Sequence, residues 1–161
     1  MIITIGYPIG FSTTESGNLY TIETQEKYVH LSYEELQIWA KIDSAFYPNK
    51  SELIVIHRLE KAGLLIQSDD VKTVLGKLLS HKYVRQGYAM VNNDGNCIYQ
   101  GNTITNVSES CNYIWQLGNG KTSIESILTQ FVKKGIYSLT SLPKIIDDIL
   151  FLVDHELIYI I

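Results

Sequence analysis

The chain has 161 residues and a formal net charge of −4, and 45% of its residues are hydrophobic while 19% are charged. This apolar share exceeds that of disordered chains, so the chain can bury a core as one domain or as two modules of about 75 residues each. The acidic balance lowers the expectation of nucleic-acid binding, which depends on lysine and arginine at phosphates, without excluding a local basic patch.

Apolar runs separated by polar residues, glycine or proline predict four short strands in the first half. These strands are expected over residues 1–5, 19–24, 27–31 and 64–66. The glycines and the proline of residues 6–10 predict a turn. Two helices are expected before the fourth strand. The capping box Ser32-x-x-Glu35 opens the first, and the second begins near Ser51 and ends at the C-cap Gly63.

A further helix over residues 68–87 is predicted to connect the two halves of the chain. Ser68-Asp69-Asp70 supplies its N-cap, and apolar residues recur at helical spacing from Val71 onward. Its basic residues lie on several faces, which is typical of a solvated helix rather than of a nucleic-acid-binding stripe. The predicted organisation is an N-terminal module over 1–67, a connector helix over 68–87 and a C-terminal module over 88–161.

The second half is predicted to begin with a β-hairpin and to continue with a third strand, three helices and a closing strand. Asn93-Asp94-Gly95 is a strong signal for a tight turn between the first two strands. Thr122-x-x-Glu125 is a second capping box. The strands are expected over 88–91, 96–100, 103–107 and 157–161, and the helices over 108–117, 122–134 and 141–156.

The two halves share a weak sequence repeat. Trp39 and Trp115 are 76 residues apart, and each follows a serine by seven residues, Ser32 in one half and Ser108 in the other. Further downstream, residues 59–66 resemble residues 152–159 at a shift of 93. Such spacing indicates one supersecondary unit used twice. Chance similarity is the alternative, since the identities are few.

Residues 88–161 also contain a motif whose positions combine cap serines with core residues. The motif consists of Ser108, Ile114, Trp115, Leu117, Gly120, Ser123, Ile124, Ile127, Leu128 and Phe131, followed by Phe-Leu-Val-Asp-His-Glu-Leu-Ile at 151–158. It resembles the PqqD-like family of winged-helix peptide-recognition elements, although Glu156 stands where that family usually has glycine. The resemblance implies an α+β fold with two winged-helix-like modules in tandem, the first a shorter relative that lacks the middle helix.

The resemblance further implies that a precursor leader peptide adds as a strand to the third strand and packs against the third helix. On that helix, four side chains follow steps of four, three and four residues and therefore form one stripe. The candidate peptide- or partner-binding residues are Thr103, Ile104, Thr105, Lys144, Asp148, Phe151 and His155. Phe151 is expected either to be buried between the modules, which we favour, or to remain as an anchor for a partner.

No catalytic, metal-binding or cofactor-binding site is predicted. Residues 118–122 lack the first glycine and the preceding strand of a phosphate-binding loop. The four histidines show no metal-ligand spacing, and Cys97 and Cys111 are expected to be inert thiols in a strand and a core-facing helix. The adjacent Asp147 and Asp148 point about 100° apart on a helix, so they predict a solvated face rather than a paired acid–base site.

The expected function is non-enzymatic binding of a peptide or protein, such as a precursor peptide or a partner enzyme. The alternative is a winged-helix DNA-binding transcriptional regulator, and an enzyme is the third class. The predicted third helix opposes DNA binding because it has one lysine, Lys144, against several acidic residues. Nucleic-acid binding is therefore not expected, although it is not excluded.

We expect a cytoplasmic protein that does not bind membranes. The first lysine is Lys27, so no basic segment precedes the apolar start as in a signal peptide. The longest apolar stretch near the end is interrupted by Asp147 and Asp148, well short of the about 20 residues that a membrane helix needs. Two cysteines are too few for a disulfide scaffold. The oligomeric state is left open.

Overall fold

Alternating apolar segments and capped amphipathic segments give this chain both strands and helices. The computed structural model describes residues 1–15, 17–43, 45–92, 95–135 and 142–161, the side chain of Leu142 excepted. The mixed α and β class is confirmed. The chain divides into two compact units, of which the first contains Met1–Lys77 with Ile160–Ile161 and the second contains Leu78–Tyr159.

The first unit has five strands and three helices among its described residues. They are β1 (Ile2–Thr4), β2 (Tyr7–Thr14), β3 (Gly17–Glu23), β4 (Tyr28–Leu31), α1 (Tyr33–Lys41), α2 (Glu52–Lys61), β5 (Leu65–Gln67) and α3 (Val71–Leu78), whose last residue lies at the unit boundary. β2, β3 and β4 form one antiparallel sheet in chain order, and β1 pairs with β5. The core includes Ile3, Ile22, Ile56, Leu59 and Leu64.

Local caps explain where the two main helices of this unit begin. The predicted capping box of α1 is confirmed, because the Ser32 hydroxyl accepts from the Glu35 amide while the Glu35 carboxylate accepts from the Ser32 amide. The predicted start of α2 near Ser51 is confirmed, because the helix begins at Glu52, although the Ser51 side chain makes no cap hydrogen bond. Asn49 caps α2 instead, and its side-chain oxygen accepts from the amides of Ser51 and Glu52.

The turn predicted over residues 6–10 is wrong, because β2 begins at Tyr7 and runs through this segment. β2 lies at the edge of its sheet, and an edge strand tolerates the missing amide of Pro8. The register shifts between Pro8 and Gly10. The glycine and proline signal therefore marks an irregular edge strand.

The predicted connector helix over 68–87 is also wrong in its second half. α3 ends at Leu78, and Lys82–Arg85 forms a strand, β6. The Tyr83 side chain is buried and its hydroxyl donates to the Ile114 carbonyl, whereas Arg85 is exposed. The burial of Tyr83 thus imposes strand alternation on a segment whose composition also suits a helix. The unit boundary after Lys77 falls inside the predicted connector.

The second unit has six strands and three helices among its described residues. They are β6 (Lys82–Arg85), β7 (Tyr88–Asn92), β8 (Gly95–Gln100), β9 (Thr103–Asn106), α4 (Glu109–Gln116), β10 (Asn119–Ser123), α5 (Ile124–Lys133), α6 (Leu142–Asp154) and β11 (Ile158–Ile160). β7, β8 and β9 form an antiparallel sheet, and a second sheet has the order β10-β6-β11. The predicted turn residues Asn93 and Asp94 lie outside the described residues, as does Ser141, the predicted start of the last helix.

The start of α5 differs from the prediction. Asn119–Ser123, which includes the predicted cap residue Thr122, forms β10, and the N-cap is Ser123, whose hydroxyl accepts from the Ser126 amide. The predicted capping box of Thr122 and Glu125 does not form, because Thr122 belongs to the strand. β10 consists of one glycine and four polar or charged residues, which explains why no apolar alternation predicted it.

One tryptophan hydrogen bond occurs in both units. Trp39 Nε1 donates to the Ile5 carbonyl at 3.3 Å, and Trp115 Nε1 donates to the Gln86 carbonyl at 2.8 Å. Each acceptor is the first residue after the first strand of its unit, β1 or β6. Both tryptophans are buried on the first helix of their unit, which confirms their predicted place in the core.

The glycine after that acceptor also has the same environment in both units. Gly6 and Gly87 have φ angles of +115° and +77°, which favour glycine. A Cβ atom would lie 2.2 Å from Ile22 Cγ2 at Gly6 and 3.2 Å from Ile98 Cγ2 at Gly87. Both isoleucines are fully buried. The backbone thus approaches a core isoleucine closely in each unit.

The helix that precedes β5 in the first unit and the helix that precedes β11 in the second end in the same way. Gly63 after α2 and Glu156 after α6 have φ angles of +78° and +55°. The next amide, of Leu64 or Leu157, donates to the carbonyl five residues earlier. This is the bond of a Schellman helix end, which usually requires glycine at the left-handed position.

Across the described ranges, no helix has the length and apolar character needed to span a bilayer.

Candidate functional site

β9, which contains three of the predicted site residues, lies at one edge of the sheet in the second unit. The order of that sheet is β7-β8-β9, and β9 pairs with β8 from Gln100↔Thr103 to Cys97↔Asn106. The Ile104 side chain is 55% exposed. Thr103 and Asn106 are also exposed, and Thr105 is half-buried. The structure therefore places Thr103, Ile104 and Thr105 together on one accessible strand.

The backbone of β9 presents alternate residues to its free side. The Val107 amide, directly after β9, donates to the Asn96 carbonyl at 2.9 Å. Because bonding residues alternate along an antiparallel ladder, Thr105 and Thr103 also turn toward β8. The amides and carbonyls of Ile104 and Asn106 then point away from β8. These are the groups that an added strand would pair with.

α6 contains three of the other four predicted site residues, and the fourth, His155, directly follows its last residue. Its core face consists of Ile145, Ile146, Ile149, Leu150 and Leu152. Lys144 and His155 are exposed, and Phe151 is half-buried. The Phe151 ring stacks on the His155 imidazole with centroids 4.1 Å apart, and His155 Nδ1 lies 2.8 Å from the Phe151 carbonyl oxygen. Phe151 and His155 thus form one paired surface at the C-terminal end of α6.

Asp148 does not belong to that surface, contrary to both predictions made for it. Its residue is only 8% exposed, and the Cys111 thiol of α4 donates to its carboxylate at 3.2 Å. α4 packs against α6, which removes this position from solvent. Burial raises the pKa of Cys111 to about 11, and the hydrogen bond to Asp148 adds to the shift. Cys111 is therefore a buried thiol held in its protonated form.

A long-range hydrogen bond connects the β8–β9 hairpin to the end of α6. Gln100 Nε2 donates to the Glu156 carbonyl at 3.2 Å, and Gln100 lies opposite Thr103. This contact brings the first residue of β9 toward the helix end that contains His155. Lys144 lies in the first turn of α6, about 16 Å along the helix axis from His155. The structure therefore links the β8–β9 hairpin to the residue that follows His155, while Lys144 lies at the other end of α6.

Sequence reasoning missed a row of side chains on the outer face of the same sheet. Tyr88 lies opposite Tyr99, and Tyr99 lies opposite Ile104. The two tyrosine rings stack with centroids 5.3 Å apart and an interplanar angle of 12°. Partial burial raises the pKa of Tyr99, and the neighbouring Cys97 thiol adds to this. Period-2 alternation within each strand indicates which side chains share a face. The register between β7, β8 and β9 was needed to show that these three side chains form one row.

In the first unit, a charged residue takes the helix position that Phe151 has in the second. The shift of 93 places Arg58 at the position of Phe151, and the shift of 76 places Glu35 at the position of Cys111. Arg58 pairs with the buried carboxylate of Glu35 at 2.8 Å. The helix pair of the first unit is therefore joined by an ion pair where α4 and α6 share a thiol–carboxylate bond.

A groove of about 670 Å³ lies between α1 and the start of α2 in the first unit. Its lining is mostly polar and includes Gln37, Lys41 and Glu52. Lys41 donates to the Glu52 carboxylate, which also accepts from the Asn49 amide. The hydrogen bond from Lys41 is the main reason why the pKa of Glu52 is lowered. Lys41 and Glu52, two of the charged residues of this groove, are thus paired with each other.

Comparisons with protein-family models, with curated proteins and with solved structures give no match. The resemblance of residues 88–161 to the PqqD-like family therefore stays a prediction. Within the described residues, no three histidine, cysteine, aspartate or glutamate side chains cluster as metal ligands. The features of the second unit that bear on function are consequently the free edge of β9 and the surfaces beside it.

Proposed function

We propose that this protein is a non-enzymatic peptide-binding protein whose second unit holds an extended peptide as an added strand on β9. The main observation is the free edge, where the backbone groups of Ile104 and Asn106 point away from β8. Proteins usually protect such edges with charged residues, proline or a bulge. Thr103–Asn106 contains no charged residue and no proline. Such an edge suits β-strand addition, in which main-chain hydrogen bonds supply affinity.

The end of α6 supplies a side-chain surface for the same peptide. Phe151 and His155 stack on each other, and the Gln100–Glu156 hydrogen bond fixes the hairpin next to this helix end. A peptide strand on β9 would alternate its side chains between the two faces of the sheet. The residues that share the face of Thr103 and Thr105 would point toward α6. In this proposal Phe151 is a wall of the peptide site.

The proposal includes a fold class for the two units. We infer that each is a winged-helix-like module and that the second is PqqD-like. The recurring tryptophan bond, glycine contact and helix end support a duplicated module. The first unit has no described counterpart of β10 and α5 between its two main helices, in line with a shorter relative. A leader peptide of a precursor, or a partner enzyme, is the occupant that this class implies.

The second unit is preferred as the binding unit because of the residue at the Phe151 position. Arg58 occupies that position in the first unit and is paired with Glu35. A peptide there would meet an ion pair rather than an aromatic ring. β4 has the same place in its sheet as β9, with Tyr28 at the position of Ile104. The first unit therefore provides a matched control for edge pairing.

Duplex DNA is not the proposed ligand. A helix that enters the major groove beside phosphates needs free cationic side chains. In the first unit Arg58 pairs with Glu35, and Lys41 pairs with Glu52.

The proposal also includes a cytoplasmic location. The two described cysteines are free thiols, and free thiols persist in a reducing compartment.

The test is selection from a phage-displayed library of random dodecapeptides on the full chain, followed by affinity measurements with two variants. Ile104→Pro removes the outward amide of β9, and Tyr28→Pro removes the matching amide of β4. We expect Ile104→Pro to weaken binding about tenfold through the lost backbone hydrogen bond, while Tyr28→Pro leaves affinity unchanged. Circular dichroism of both variants checks folding. Failure to enrich any peptide, or equal binding by Ile104→Pro, contradicts the proposal.

A further inference from the structure

We infer that the outer face of the sheet β7–β8–β9 selects a large apolar or aromatic side chain at the peptide position opposite Ile104. This inference rests on the proposed function and specifies the class of peptide. The selecting surface is the row formed by Tyr88, Tyr99 and Ile104. A peptide with apolar side chains on both faces of its strand is therefore the expected ligand.

The row follows from the register of the three strands. Tyr88 lies opposite Tyr99, and Tyr99 lies opposite Ile104, so the three side chains share one face in a line across the sheet. An antiparallel strand added to β9 would place one residue directly opposite Ile104. The side chain of that residue would continue the line on the same face. The peptide position is thereby fixed by geometry.

The row is accessible and apolar where the peptide would arrive. Tyr88 is 57% exposed and Ile104 is 55% exposed. The Tyr99 ring is covered on one side by the stacked Tyr88 ring. Met90, on the same face, is also about half exposed, whereas Cys97 on that face is fully buried. A large side chain beside Ile104 would cover apolar surface that water now contacts, which is favourable.

The opposite face imposes a separate requirement. Peptide residues next to the one opposite Ile104 would point toward α6, because side chains alternate along a strand. Phe151 lies on that side in the proposed site. Ile104 and Phe151 should thus select two peptide positions whose residue numbers differ by an odd number, such as neighbours in the sequence. This parity follows from the alternation of side chains along an added strand.

The experiment repeats the dodecapeptide selection with Ile104→Thr and Phe151→Ser and compares the enriched sequences with those from the unchanged protein. Thr keeps the β-branched shape and the outward amide, so edge pairing survives in Ile104→Thr. We expect the large apolar preference at one position to disappear, with affinity for the original peptides falling about twofold to fivefold, the range of one cross-strand pair. Val91→Thr is the matched control, since Val91 is 76% exposed and alternation places it on the other face of β7.

The outcomes separate this inference from the proposed function. Suppose that one peptide position changes its preference with Ile104→Thr and another with Phe151→Ser. If their residue numbers differ by an odd number, the result supports both the proposed function and this inference. If the residue numbers of the two positions differ by an even number, this inference is overturned. A different outcome is that Ile104→Pro weakens binding while Ile104→Thr selects the same side chains as the unchanged protein. This result also overturns the inference and leaves edge pairing intact. If no peptide is enriched, the proposed function is wrong and the inference is wrong with it.

Discussion

At the scale of single residues, the second unit differs from the first at a position that normally requires glycine. Glu156 has a φ of +55°, whereas the equivalent Gly63 has +78°. The Glu156 side chain is exposed, and its carbonyl accepts from Gln100. A left-handed backbone is unfavourable for a residue with a Cβ atom. The sequence resemblance had already marked Glu156 as a departure, and the structure gives its physical consequence.

Replacing this residue by glycine should stabilise the second unit. We expect Glu156→Gly to raise the free energy of unfolding by about 1 kcal/mol, because the left-handed conformation no longer strains a side chain. Urea denaturation measures this change, with Gly63→Ala as the opposite control that should lower it by about the same amount. An unchanged or lower stability for Glu156→Gly would show that the backbone at this position is not strained.

The buried Cys111 thiol gives the second unit a pH-dependent stability. Its pKa is raised from an ordinary value near 9 to about 11 by burial first and by the bond to Asp148 second. The folded state therefore keeps the proton that the unfolded state loses above pH 9. The stabilisation is complete below pH 9 and is lost as the pH rises toward 11.

We expect the stability difference between the original protein and Cys111→Ala to shrink by about 1–2 kcal/mol from pH 8.5 to pH 11. The measurement is a series of urea titrations across this range. A difference between variants is needed because burial also raises the pKa of Tyr83. If the two proteins lose stability in parallel, Cys111 is not held protonated by the fold.

At the scale of elements, cap residues predicted where helices begin and alternation predicted several strands. β6 and the burial of Asp148 were not predicted, because they depend on tertiary contacts. The Ser32 and Ser108 caps both accept from the third helical amide, as their spacing indicates. β6 was missed because Tyr83 is buried by distant parts of the chain, where its hydroxyl donates to the Ile114 carbonyl. Asp148 was misplaced because its burial depends on α4, which no pattern within α6 contains.

The candidate site was predictable to a similar degree. Alternation indicated a strand over 103–107, and β9 forms within it. The outward direction of the Ile104 and Asn106 backbones required the pairing with β8. The link from Gln100 to Glu156 spans 56 residues, so local spacing could not reveal it.

The two tryptophans provide the test of equivalence at this scale. We expect Trp39→Ala and Trp115→Ala each to cost about 3–5 kcal/mol, since both rings are buried. Replacement by phenylalanine should cost less, because it retains an aromatic ring while losing the bond to the Ile5 or Gln86 carbonyl. Thermal unfolding measures both series. An unchanged midpoint for Trp115→Ala would contradict its core position.

At the scale of the whole molecule, two units of related element order present different surfaces. The second combines the free β9 edge with Phe151 and His155, and the first has the Arg58–Glu35 ion pair at the corresponding helix position. The chain as a whole is acidic, with a net charge of −4. A negative protein repels the phosphates of nucleic acid unless a cationic patch compensates.

We therefore expect no tight binding to duplex DNA. Fluorescence polarisation with a labelled random duplex at low salt should give no dissociation constant below about micromolar. The same titration at higher salt is the control for residual electrostatic attraction. Nanomolar affinity that weakens steeply with salt would favour the transcriptional regulator over the peptide-binding protein.

The central claim is most directly tested by amide hydrogen exchange, measured by NMR with and without a selected peptide. In the free protein the amides of Thr103 and Thr105 should be protected through β8, while those of Ile104 and Asn106 exchange rapidly. Adding the peptide should protect Ile104 and Asn106 and leave the equivalent Tyr28 and His30 amides of β4 unchanged. If the peptide binds while Ile104 and Asn106 continue to exchange rapidly, strand addition on β9 is wrong.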